Sequence, residues 1–157
     1  IGLRFFSVYG PWGRPDMALF KFTDAIQNGR SIDVYNHGDM LRDFTYVDDL
    51  VDAVRRLMEA IPDKTPVSAA DNLSPNAPWR AVNIGNGPPT KLTDFIEALE
   101  AVLGKTAQKN MLDIQPCDMP ATWADATLLN HLIGPMNKID LNDGVANFVK
   151  WYNAEFS

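Results

Sequence analysis

Two residues near the start of the chain have the types needed to grip an anion. Ser7 offers a small hydroxyl. Arg14 offers a planar, permanently charged fork that pairs bidentately with carboxylate or phosphate. Both lie in FFSVYGPWGRPDM (5–17), where an apolar strand runs into a Gly-Pro-Trp-Gly turn. The strand therefore delivers them to one rim of a sheet, the rim at which open α/β folds bind ligands. The same spacing also suits the commoner case of a solvated loop arginine and a strand-filling serine. Arg42 is a second possible anion partner, although an arginine beside Asp43 is more often half of a surface ion pair, worth ~0–1 kcal/mol. Asp48 and Asp49 form a carboxylate pair, but Asp48 reads better as a helix cap. His37 and His131 are far apart, with no carboxylate spacing that suggests a metal site. Gly85-Asn86-Gly87 lacks the Lys-Ser/Thr ending of a phosphate loop.

The elements that must position these residues follow from the apolar pattern. Residues 1–9 form a near-continuous apolar run, interrupted by Arg4 and Ser7, that suits a strand covered on both faces. Asp16 is expected to cap a helix stopped by Gly29. A short strand over 31–35 leads into a turn over 36–39, rich in residues that tolerate positive φ. Residues 42–47 are extended. Asp48 then caps a helix with Leu50, Val51, Val54, Leu57 and Met58 on one face. The four prolines of 62–78 mark a mobile surface loop. A second buried strand covers 81–84. Thr90 caps the clearest helix, with Leu92, Phe95, Ile96, Leu99, Val102 and Leu103 in one stripe and Gly104 at its end. A strand over 111–114, a helix over 125–133 and a last helix opened by Asp140 complete the chain. Two buried parallel strands are too few for an independent sheet, so their edges need partners.

Composition narrows the function classes. The chain has 157 residues, enough for about one domain, with 46% hydrophobic and 22% charged residues. A net charge of −6 argues against a general nucleic-acid or anionic-membrane surface. The single cysteine, Cys117, excludes an internal disulfide and fits a reducing cytoplasm. No apolar run approaches the ~20 residues of a membrane span.

The segments FFSVYGPWGRPDM (5–17), RDFTYVDDL (42–50), VNIGNG (82–87) and WADAT (123–127) together resemble the UDP-glucuronate 4-epimerases. These are extended short-chain dehydrogenase/reductases of the nucleotide-sugar epimerase/dehydratase group. The resemblance covers nearly the whole chain. It implies an α/β fold: the last strands of a Rossmann-type parallel sheet, near 1–9 and 80–84, plus the small α/β substrate-binding domain. It also implies that Arg14 meets the glucuronate carboxylate, with Ser7 beside it at a position that usually holds Thr. By the same resemblance Arg42 contacts the UDP diphosphate, Asp33 and Tyr35 border the uracil, and Asp118 lies near ribose and phosphate. Gln115 stands where galactose epimerases often have Arg. Cys117 stands where Gly is usual, and would strain the turn if its φ is positive. Phe5, Phe6 and Val8 match residues near the nicotinamide of NAD, although a buried strand explains them without a cofactor.

The resemblance further implies a Gly-rich NAD turn and a Tyr-x-x-x-Lys pair. Four residues beyond Tyr9, Tyr35, Tyr46 and Tyr152 stand Gly13, Asp39, Leu50 and Phe156. No catalytic pair is therefore expected within the segment. Ile1 also sits inside a strand pattern. The chain is accordingly expected to be a C-terminal portion of a cytoplasmic, homodimeric epimerase, inactive without its N-terminal Rossmann portion. The competing expectations are a UDP-glucuronate decarboxylase or other nucleotide-sugar dehydratase, and a non-catalytic nucleotide-sugar-binding module. The GPWGRPDM turn favours the epimerase.

Overall fold

The computed structural model describes residues 1–156. The apolar run at the start does not form one strand. It breaks at Phe6 into β1 (Gly2–Phe5) and β2 (Ser7–Tyr9). These serve different ladders: β1 pairs parallel with β6 (Ala81–Ile84), and β2 pairs parallel with β5 (Phe44–Tyr46). The register sets Gly2 opposite Ala81 and Ser7 opposite Phe44. The expected burial on both faces is corrected: Tyr9 is buried, but Arg4 is exposed and Phe5 is 51% exposed. Among the described residues β1 has a strand on one edge only.

Two further small sheets complete the frame. In one, β3 (Ile32–Tyr35) pairs parallel with β8 (Lys109–Leu112). In the other, β4 (Leu41–Arg42) lies between antiparallel β7 (Thr90–Lys91) and parallel β9 (Ala121–Thr122). Pairing with β3 starts β8 at Lys109, two residues before the expected Met111.

Helices α1 (Ala18–Gln27), α3 (Leu92–Leu103) and α5 (Leu141–Phe156) enclose one core, which includes Tyr9, Phe22, Phe95, Leu99 and Phe148. Helices α2 (Val47–Leu57) and α4 (Thr127–Ile133) enclose a second with β6, built on Leu50, Ala53, Leu57, Val82 and Leu129. The Leu92–Leu99 stripe of α3 faces inward as its spacing requires, and Gly104 ends the helix at φ 63.

Three expected caps are corrected. The Asp16 carboxylate turns to Arg14, and Met17 precedes α1 without a side-chain cap. Tyr46 precedes α2, placing Asp48 in its first turn, where a negative charge still complements the helix dipole. Thr90 is drawn into β7, and the first N–H of α3 donates to the Met40 carbonyl at 2.9 Å. Asp140 does open α5, accepting from the Asn142 N–H at 2.8 Å. Asp125 precedes α4 and accepts from the Thr127 N–H at 2.9 Å.

The proline-rich loop is irregular but not loose. The Asn72 side chain pairs with the Ala81 backbone through bonds of 2.8 and 2.7 Å, extending the edge of β6. Asp71 meets Arg80 at 3.2 Å, and their side chains are 0% and 2% exposed. Asp71 also accepts from the backbone N–H groups of Val67 (2.9 Å) and Leu73 (3.0 Å). Among the described residues no helix is long and apolar enough to cross a membrane.

Candidate functional site

A cavity of about 550 Å³ opens between the carboxyl ends of β2 and β3 and the start of α1. Six of the seven anticipated ligand residues line it: Ser7, Arg14, Asp33, Tyr35, Arg42 and Asp118. Gln115 does not. It is exposed, and its carbonyl instead accepts the Asp118 N–H at 3.1 Å. Of the three residues expected near a nicotinamide, Val8 lines the cavity; Phe5 and Phe6 do not.

Arg14 reaches the cavity because the turn before it is tightly bent. Gly10 has φ 136, and a side chain there would come within 2.7 Å of Val47 Cγ1. Trp12 takes φ 61, a costly conformation for a bulky residue. Its ring packs on Trp151 of α5 at 5.3 Å. Arg14 Nε donates to Asp16 Oδ1 at 3.0 Å, and Nη2 donates to Asp16 Oδ2. This holds the Asp16 carboxyl below the usual carboxylate range. The pair uses the side of the fork formed by Nε and Nη2. Nη1 has no hydrogen bond to protein among the described residues.

Arg42 is more enclosed, with a side chain 19% exposed. Nη1 donates to the Leu41 carbonyl at 2.9 Å, and Nη2 to Asp118 Oδ1 at 3.0 Å. Arg42 does form an ion pair, but with Asp118 rather than with the adjacent Asp43. Asp118 is brought there by the turn over 115–118, in which Cys117 has φ 70. A non-glycine residue in that region costs roughly 1–2 kcal/mol. Cys117→Gly is therefore expected to raise stability by about 1 kcal/mol. A thermal melt checks this; an unchanged or lowered Tm contradicts it.

Across the cavity, Asp33 Oδ1 accepts from Asn110 Nδ2 at 2.9 Å, which ties β3 to β8. The sequence did not single out Arg30, which also lines the cavity and pairs with Asp24. Asp24 in turn accepts from the Tyr152 hydroxyl at 3.2 Å. Arg30's one available clue was its place two residues before β3, whose Asp33 and Tyr35 drew attention. Asp43 was also missed, and it is fully buried. The cavity thus presents three arginines, each answered by an aspartate, beside an apolar wall that includes Tyr35, Phe44 and Phe95. That combination suits an elongated ligand with more than one anionic group and a flat ring. Among the described residues no group of three or more His, Cys, Asp or Glu is placed to hold a metal ion.

Comparison with known proteins gives consistent matches. Residues 1–70 match the model of the NAD dependent epimerase/dehydratase family. The chain is 54% identical over 154 residues to Protein CapI of Staphylococcus aureus, covering 96% of this chain and 46% of that protein. It is 50% identical over 157 residues to a probable UDP-glucuronate 4-epimerase of Rhizobium meliloti, covering 98% and 46%. Among solved structures, UDP-glucuronic acid 4-epimerase from Bacillus cereus, in complex with UDP-glucuronic acid and NAD, superposes with a TM-score of 0.81. There the identity is 28%, covering 98% of this chain and 45% of that one. The chain therefore spans about half the length of the curated relatives it matches.

Proposed function

We propose that the chain, which matches the NAD dependent epimerase/dehydratase family over residues 1–70, is a member of that family and forms the nucleotide-sugar-binding part of an NAD-dependent UDP-glucuronate 4-epimerase. The observation that carries this reading is the shared cavity: Ser7, Arg14, Arg42 and Asp118 all line it, with Arg42 paired to Asp118. In this reading Arg42 exchanges Asp118 for the diphosphate, keeping its fork filled in both states. Asp33 and Tyr35 border the uracil, the ring packing against Tyr35. Arg14 and Ser7 hold the sugar carboxylate.

The carboxylate contact has a chemical purpose. Oxidation at C4 creates a β-keto acid, which loses carbon dioxide when its carboxylate lies out of the plane of the ketone. A fork that fixes the carboxylate in another orientation favours epimerisation. NAD would supply the acceptor for the C4 hydride and return it to the other face. In this reading residues of β1 and β2 would meet one edge of that cofactor. Phe5 is 51% exposed at the carboxyl end of β1, and Val8 lines the cavity, so both offer apolar surface to a nicotinamide. The described residues contain no Gly-rich phosphate turn and no Tyr-x-x-x-Lys. In this reading β1 and β6 complete a cofactor-binding sheet whose other strands, with the proton-transferring tyrosine, lie in a further part of the enzyme.

The test is product analysis. The full-length protein with UDP-glucuronate and NAD is expected to yield UDP-galacturonate. The 1–157 chain alone is expected to yield none, because its sequence carries no Tyr-x-x-x-Lys pair to take the C4 hydroxyl proton. Release of carbon dioxide with a UDP-pentose would assign the decarboxylase instead. Binding of UDP-sugar without turnover by the full-length protein would assign a binding module.

A further inference from the structure

We propose that Asp43 is the positioning residue that sets Ser7 and Arg42 against one ligand; the inference rests on the nucleotide-sugar reading of the cavity. Asp43 is 0% exposed, and among the described residues no lysine or arginine pairs with it. Its charge is met by donors from three separate segments. Oδ1 accepts from the Asn86 N–H at 2.6 Å and the Thr45 hydroxyl at 3.1 Å. Oδ2 accepts from the Ala124 N–H at 3.0 Å and the Gly87 N–H at 3.4 Å. A carboxylate has about four lone-pair positions, and here all of them are used. The cup is also close-packed: a side chain at Gly85 would stand 2.4 Å from Asp43 Oδ2.

The backbone of the same residue carries the link to the cavity. Its carbonyl accepts from the Ser7 N–H at 3.1 Å, and its N–H donates to the Thr122 carbonyl at 3.0 Å. Arg42 is the preceding residue, at the end of β4, and Phe44 opens β5 opposite Ser7. Side chains of successive extended residues point to opposite faces. Arg42 therefore lines the cavity while Asp43 points inward to its cup. Moving the carboxylate moves the bend between β4 and β5, and with it both proposed ligand contacts. Asn is nearly the same size, but its amide would turn two hydrogens toward N–H groups that need an acceptor.

The experiment uses the full-length protein, with UDP as the probe of binding and circular dichroism as the check on folding. Arg42→Ala is the reference, expected to weaken UDP binding. Asp43→Asn is expected to weaken it about tenfold, the loss of a charge-assisted hydrogen bond. The double variant should bind within about twofold of Arg42→Ala alone, because contacts that act through one group are not additive. A residue that merely stabilises the fold would give additive losses, and that result overturns the inference. So does unchanged binding in a folded Asp43→Asn. If Arg42→Ala itself leaves UDP binding unchanged, the nucleotide-sugar reading fails, and that outcome is distinct from the others. Should Asp43→Asn not fold, Thr45→Val removes one donor at nearly constant shape. It is expected to weaken UDP binding roughly two- to fivefold with the same coupling to Arg42→Ala; no change, or an additive change, overturns the inference equally.

Discussion

Replacing Asp71 by alanine is expected to cost about 3–5 kcal/mol of folding stability, the penalty for leaving a buried charge without its partner. The side chain is 0% exposed, and among the described residues it is the one carboxylate that meets Arg80, itself 1% exposed as a residue. Nε of Arg80 already lacks a hydrogen-bond partner, so the guanidinium has little to fall back on. Alanine would also remove the acceptor of the part-buried Leu73 N–H and of the exposed Val67 N–H, which water can satisfy. The expected loss is a large share of the 5–15 kcal/mol typical of a whole domain. The damage should spread along a defined route: Arg80 leads into β6, β6 pairs with β1, and β1 continues into the strand that carries Ser7. Removing both charges in Asp71→Leu with Arg80→Met should recover most of the loss, since a packed apolar pair is often no worse than a buried ion pair. Urea unfolding of the three proteins decides it. A single-variant loss below about 1 kcal/mol would mean that water reaches Arg80, and that the ion pair has the small value typical of a surface site.

The same pair shows what a sequence can and cannot disclose. Asp71 and Arg80 lie in or beside a stretch of prolines and small polar residues, which has the composition of a solvated loop. Their burial follows from where the loop lands, on the end of β6. Composition does not contain that information. The α3 stripe was legible because helical periodicity is a local property, and Leu92 to Leu99 face one core. The caps of α1, α2 and α3 were less legible because capping is a competition. Asp16 has a better partner in Arg14, and Thr90 a better one in the β4 ladder. Two adjacent residues, Arg42 and Asp43, invited the reading of an ion pair. In an extended segment they face opposite ways, so the arginine finds Asp118 across 76 residues and the aspartate finds backbone N–H groups. The candidate site was legible to the extent that its residues came in one recognisable run or belonged to motifs with a known placement. Arg30 belonged to neither.

The second large effect concerns Arg14, and it separates charge from shape. On the proposed epimerase reading, Arg14→Lys in the full-length protein is expected to lower kcat/KM for UDP-glucuronate roughly ten- to hundredfold, the loss of one charge-assisted hydrogen bond with its fixed geometry. Lysine keeps the positive charge, so a purely electrostatic role predicts little change. A positioned fork predicts much. Asp16 already engages the Nε and Nη2 side of the guanidinium, which fixes its plane and leaves Nη1 for an incoming carboxylate. An ammonium group has no second edge: it must divide a single point of charge between Asp16 and the ligand. The loss should therefore be much smaller for a UDP-hexose that carries no carboxylate and gives Arg14 no anion to hold. Arg42→Ala supplies the control, since both substrates carry the diphosphate and both should suffer alike. A carboxylate released from its clamp is also free to leave, so the Arg14→Lys variant should release more carbon dioxide per turnover than the parent. Measuring kcat/KM for the two sugars in both variants, with carbon dioxide trapped in parallel, tests each step. Equal losses for the two sugars in Arg14→Lys would remove the carboxylate contact. The ligand would then be a nucleotide sugar recognised by its diphosphate and base, with Arg14 reduced to a surface partner of Asp16.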